Sequence, residues 1–205
     1  MDDWIIWIDK IKAISQIGRS YSKDGFDLER YKQLSDLADA MYSKISAAPI
    51  EKVKGFFIPD KGYATAKVDL RAGIFRENQI LLVKEKRDDQ WAMPGGWADV
   101  GETPTQGIER EVFEETGYQV QVLRLISIRD QSLHGYIPRY PVHVYKLFFL
   151  CEIMGGSPIE NNEISEISFF PLDPLPELST GTTLQEDILL SCEYYQNPSR
   201  LVYCD

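Results

Sequence analysis

The stretch that decides the fold runs from Gly96 to Tyr118: Gly-Trp-Ala-Asp-Val-Gly-Glu-Thr-Pro-Thr-Gln-Gly-Ile-Glu-Arg-Glu-Val-Phe-Glu-Glu-Thr-Gly-Tyr. Its second half is a helix with both ends marked. Thr103 suits the N-cap, Pro104 the first helical position, and Gln106 completes a capping box. Gly117 supplies the stop. On this helix Glu111, Glu114 and Glu115 are spaced i, i+3, i+4, so they share one face and repel each other. A hard divalent cation would offset that repulsion. Arg110 is placed to pair with a neighbouring carboxylate and aim it. Ile108 and Val112 lie on the opposite side, where they would anchor the helix to a sheet. Pro94-Gly95-Gly96, just upstream, permits close backbone approach.

Outward from this core the hydrophobic period changes. Upstream, Val68–Phe75 and Gln79–Lys84 read as a hairpin around Glu77-Asn78. Downstream, Tyr118–Arg129, Val142–Ile153 and Ile164–Phe170 read as strands, the second of them central. Thr182–Tyr195 reads as a closing helix with a Thr183/Glu186 capping box. Strands and helices so mixed imply an α/β layered domain. Before it, residues 3–17 and Asp27–Ile45 have helical periodicity, with Gly18 as the stop of the first. Their apolar stripes run through Trp4, Trp7, Ile8, Ile11 and Ile14, and through Leu28, Tyr31, Leu34, Leu37, Ala38, Met41, Tyr42 and Ile45. The division expected is 1–61 for the helical hairpin and linker and 62–205 for the main domain.

Gly96, Glu102, Arg110, Glu111, Val112, Glu114, Glu115, Gly117 and Tyr118 together form a spacing that resembles the signature box of the Nudix hydrolase family. Tyr118 is a mild departure, being only partly apolar. With seven letters fixed, a chance match is on the order of one in a million per chain. The resemblance implies an α/β/α sandwich with a mixed sheet and hydrolysis of a nucleoside diphosphate linked to another group. It assigns Mg²⁺, with Mn²⁺ as a substitute, to Glu111, Glu114, Glu115 and the Gly96 carbonyl, with Glu102 and Arg110 supporting. Catalytic roles fall to Glu114 and Glu115. Glu163 is the candidate general base from a later loop, with Glu160 and Glu166 as alternatives. Candidate substrate contacts are Trp91, Trp97, His134, Tyr136 and Arg139, with Tyr140 a further aromatic. His143 reads as a structural histidine within a strand.

The helical N-terminal pair resembles a bacterial Nudix subgroup that includes CDP-choline and ADP-ribose pyrophosphatases. Many ADP-ribose-cleaving relatives carry a proline where this chain reads Ser132-Leu133-His134, with Pro138 the nearest. CDP-choline is therefore the leading substrate expectation and ADP-ribose the alternative. RNA processing and a non-catalytic nucleotide-sensing module are the others. The net charge of −10 counts against broad nucleic-acid binding. Cys151, Cys192 and Cys204 form no Cys-x-x-Cys, so neither a disulfide framework nor a zinc site is indicated. No apolar run nears the ~20 residues that span a bilayer. The expectation is a cytoplasmic homodimer joined through the N-terminal helices.

Overall fold

The structure is a computed structural model and describes residues 2–46, 62–138, 142–159 and 161–205. The boundary expected near Lys61 falls outside these. The chain forms two compact units. One holds the N-terminal residues to Ala66 together with the stretch just before Val144; the other holds the rest.

In the first unit, α1 (Asp2–Tyr21) and α2 (Gly25–Ser46) form an antiparallel hairpin. Ile8 packs on Ala38 and Tyr42, Lys12 pairs with Asp39 at 2.6 Å, and the Ser15 hydroxyl donates to the Tyr31 carbonyl. Gly18 does not stop α1. The helix runs on to Tyr21, and the glycine serves packing instead: a Cβ at Gly18 would lie 2.3 Å from the Tyr31 ring, so glycine there lets the two helices close. The expected stripes divide. Ile8, Ile11, Ala38, Met41, Tyr42 and Ile45 face the partner helix. Trp4 and Trp7, stacked edge to face, remain about half exposed at 51% and 49%, and Ile14, Leu34 and Leu37 are exposed as well.

The second unit contains strands β1 (Lys67–Arg76), β2 (Gln79–Glu85), β3 (Gln90–Ala92), β4 (Tyr118–Asp130), β5 (Val144–Gly156), β6 (Ile164–Pro171) and β7 (Tyr203–Cys204). They make a mixed sheet in the order β3-β2-β1-β5-β4-β7, with β6 on β2. β1 runs parallel to β5, which lies in the sheet interior as its apolar sequence requires. Its two faces are read off consecutive residues. Phe149 and Cys151 join Leu70, Ala72 and Leu81 under Ile108 and Val112 of helix α3 (Pro104–Thr116). Phe148 and Leu150 join Ile80, Leu82 and Met93 under Ile188 and Tyr194 of helix α4 (Gln185–Gln196). A helix on each face makes the α/β/α sandwich.

Three local expectations are corrected. α4 begins at Gln185, and the Asp187 carboxylate takes the Leu184 N–H at 2.8 Å. Thr183, the expected cap, instead accepts from the Met93 N–H at 2.9 Å. A long-range partner has displaced the local one. β5 runs to Gly156, past the expected end at Ile153, because its end pairs with Tyr118 and Gln119. His143 precedes β5 and is exposed, rather than lying within the strand.

One irregularity positions the site. β1 and β2 pair only next to their turn, at Phe75↔Ile80 and Arg76↔Gln79, and then splay. The turn itself is left-handed at both Glu77 and Asn78, as a tight hairpin demands. The segment after β3 fills the gap. Leu70 N–H donates to Gly96 O at 2.7 Å, Ala72 N–H to Pro94 O at 2.9 Å, and Ala98 N–H to Val68 O at 2.9 Å. The glycines are thereby laid against the sheet beneath α3.

Candidate active site

Helix α3 is fixed at both ends. Thr103 accepts from the Gln106 N–H at 3.2 Å, and the Gln106 side chain takes the Thr103 N–H at 3.0 Å, which completes the capping box. Gly117 adopts φ +76° and donates to Phe113 O. Asn161 clasps the same end by donating to Glu115 O at 2.7 Å.

Within this frame Arg110 gathers the acids. Its guanidinium meets Glu102 through two bonds of 2.9 and 3.1 Å, Glu111 at 2.9 Å and Glu114 at 3.0 Å. The bonds to Glu102, with those to Glu111 and Glu114, raise the Arg110 pKa further above its ordinary value. Burial pushes the Glu111 carboxyl above the usual range against the pull of Arg110. Glu111 lies against Gly96, where a Cβ would come within 2.7 Å of its carboxylate.

Glu115 is set apart. It is 8% exposed and accepts from the Gly95 N–H at 2.8 Å. Burial pushes its carboxyl up to about 8, with Glu111 and Glu85 adding to the rise and Arg71 and the Gly95 N–H opposing it. Gly95 has φ +141°, and a Cβ there would fall 2.0 Å from Leu70 O. Only glycine brings that N–H to Glu115.

The donors suit a hard divalent ion: carboxylate oxygens on one rigid helix face, with Glu111 and Glu115 insufficiently compensated. Among the described residues, no three acidic, histidine or cysteine side chains already converge as an ion-holding group. Arg110 draws Glu102, Glu111 and Glu114 to itself, and Glu115 turns to Gly95. An ion would compete with Arg110 for Glu111 and Glu114. The Gly96 carbonyl already accepts from Leu70 and keeps one lone pair free of that bond.

The remaining expected residues scatter. Glu163 is exposed in the turn before β6, its N–H on Asn161 and its carbonyl taking the Lys86 N–H. Glu166 pairs with Lys84 at 3.1 Å, and Glu160 is outside the described residues. Trp97, 40% exposed, bridges to Asp69 beside the glycines. Trp91 packs edge to face on Phe170 at 4.5 Å. Tyr136 is fully buried with its hydroxyl donating to Asp187 at 2.8 Å, so it packs where a substrate contact was expected. His134 bonds Arg129 and Asp205 and lines the end of β4. Arg139 and Tyr140 lie outside the described residues.

Sequence reasoning missed a buried ionic chain beside the site. Asp69 grips Arg71 through two bonds, at 2.8 and 3.0 Å, and also takes the Lys146 ammonium. Lys146 sits 5.1 Å from the centre of the Tyr136 ring. Burial would raise the Asp69 carboxyl, yet its two cations hold it below the ordinary range. The signal was present: Asp69 and Arg71 alternate with Leu70 and Ala72, and Lys146 interrupts an apolar strand in register with Asp69. Charges at alternate positions of an interior strand must be paired with one another.

The acid cluster on α3, held against a glycine segment of an α/β/α sandwich, is the arrangement that the resemblance to the Nudix hydrolases implies. The chain belongs to the Nudix family: residues 68–190 match the NUDIX domain. Residues 2–57 match a domain described as UDP-X-like, N-terminal oligomerisation domain. The "Putative ADP-ribose pyrophosphatase YjhB" of Bacillus subtilis (strain 168) is 36% identical over 202 residues, covering 98% of this chain and 97% of that one. A crystal structure of a UDP-X diphosphatase is 35% identical, with TM-score 0.65, over 99% of this chain and 98% of the other. An ADP-ribose pyrophosphatase structure from Streptococcus suis 89-1591 is 34% identical, with TM-score 0.61, over 69% of this chain and all of that one.

Proposed function

We propose that this Nudix enzyme cleaves the pyrophosphate of a nucleoside diphosphate linked to a second group, with UDP-linked compounds as the leading substrate class. The observation that carries the class is the full-length likeness to a UDP-X diphosphatase, N-terminal helices included. ADP-ribose is the second reading, on the likeness to the Bacillus subtilis relative. CDP-choline stands behind both. A choline cation favours aromatic faces, and of the described aromatics expected to serve it, Trp91 is packed and Tyr136 is buried, leaving Trp97.

In this reading Glu111, Glu114 and Glu115, with the Gly96 carbonyl, hold Mg²⁺ or Mn²⁺. A bound divalent ion lowers the pKa of a water and neutralises charge on the phosphates. Glu102 holds Arg110, and Arg110 in turn orients Glu111 and Glu114. Glu163, exposed on the turn that Asn161 ties to α3, takes the proton of the attacking water at its carboxylate. The domain division is residues 1–61 and 62–205, and the exposed Trp4, Trp7 and Leu37 join two copies of the chain.

The test is a panel of UDP-sugars, ADP-ribose and CDP-choline with Mg²⁺, read as released nucleoside monophosphate. UMP released fastest supports the leading reading, and AMP fastest transfers it to ADP-ribose. No monophosphate from any member overturns the proposal. Light scattering at twice the chain mass supports the dimer, and a monomer refutes it.

A further inference from the structure

The segment Met93–Gly96 carries the backbone group that grips Glu115, and each of its residues is anchored. Met93 N–H donates to Thr183, and Met93 O accepts from the Arg71 guanidinium at 3.1 Å. Pro94 O and Gly96 O accept from β1. Gly95 N–H meets Glu115. Among these anchors Arg71 alone is a cationic side chain, and it lies buried at 5% exposure. Its other nitrogens are committed to both oxygens of Asp69, and Asp69 is balanced a second time by Lys146. We propose that Arg71 is a positioning residue for the site: held by the Asp69–Lys146 pair, it fixes Met93 and thereby aims the Gly95 N–H that presents Glu115. The inference rests on the metal-site reading of Glu115 given above.

Arginine suits this place for a geometric reason. One planar fork spans the two Asp69 oxygens while a third donor reaches the Met93 carbonyl. A lysine keeps the charge but offers a single ammonium, which cannot reproduce that three-point hold. The positive charge also faces Glu115 and Glu85, so Arg71→Lys retains the field and removes the orientation. A role through charge alone predicts no loss in Arg71→Lys, whereas a positioning role predicts a clear one.

The test uses the full chain. Mn²⁺ affinity is measured by electron paramagnetic resonance without substrate, and kcat and KM are measured on the best member of the panel. Arg71→Lys is expected to weaken Mn²⁺ binding about 10- to 100-fold and to lower kcat similarly, while KM stays within about threefold. Thr183→Val removes the anchor on the other side of Met93 and is expected to weaken both quantities in the same direction. A folded Arg71→Lys with wild-type Mn²⁺ affinity and kcat overturns the proposal. If Arg71→Lys does not fold, wild-type values in Thr183→Val overturn it. Absence of Mn²⁺ binding to the wild-type chain would instead overturn the metal-site reading on which the inference stands.

Discussion

Glu115 should announce metal binding by losing a proton. Its carboxyl is buried, faces Glu111 and Glu85, and is pushed from an ordinary 4.5 up to about 8. A displacement of that size corresponds to about 5 kcal/mol in favour of the protonated form. A divalent ion requires the carboxylate, so binding must expel the proton. Below pH 8, apparent Mg²⁺ or Mn²⁺ affinity should rise about tenfold per pH unit and then level off. Calorimetry in two buffers of different ionisation enthalpy measures the release directly. Near pH 6.5 close to one proton should leave per ion bound, and above pH 9 almost none. The metal-free protein carries the opposite sign. Because the folded pKa lies above the unfolded one, the contribution of Glu115 to stability is full below about pH 4.5 and is lost as pH rises towards 8. Glu115→Gln should remove that decline. Binding at pH 6.5 with no proton release would refute the reasoning.

Other substitutions probe the frame. Gly95→Ala places a Cβ 2.0 Å from Leu70 O at a positive φ, so Tm should fall by about 5 °C or more and Mn²⁺ binding should weaken; an unchanged Tm would contradict this. Arg110→Met leaves Glu102, Glu111 and Glu114 without their shared cation, so the rise in Tm on adding Mg²⁺ should exceed that of the wild type, and an equal rise would count against it. Gly18→Ala brings a methyl against the Tyr31 ring at an overpacking cost of about 1–3 kcal/mol, larger than the helix-propensity gain of about 1 kcal/mol. The variant should melt earlier, and a stabilised variant would show that the ring moves aside freely.

Much of this architecture was legible because its signals are local. The capping box at Thr103, the left-handed Gly117 and the one-faced glutamates depend on neighbours within a turn or two of the chain, and so do the hairpin at Glu77-Asn78 and the periodicity of the strands. What escaped depends on distant partners. Thr183 looked like a helix cap until Met93 claimed its hydroxyl. Gly18 looked like a stop because its true partner, Tyr31, lies on the other helix. Tyr136 looked like a substrate contact, yet Asp187 and Lys146 draw it into the interior. The Asp69–Arg71–Lys146 cluster was spelled out in the strand alternation, but its meaning needed the parallel register that sets Asp69 opposite Lys146.

The central claim is that the glutamate face of α3 holds a divalent ion that drives pyrophosphate cleavage. The most direct measurement is release of nucleoside monophosphate from the preferred substrate as Mg²⁺ is titrated, in the wild type and in Glu115→Gln. Turnover should require Mg²⁺, and the substitution should lower it by about a thousandfold. Equal turnover in the presence of a chelator, or undiminished turnover in Glu115→Gln, would contradict the claim.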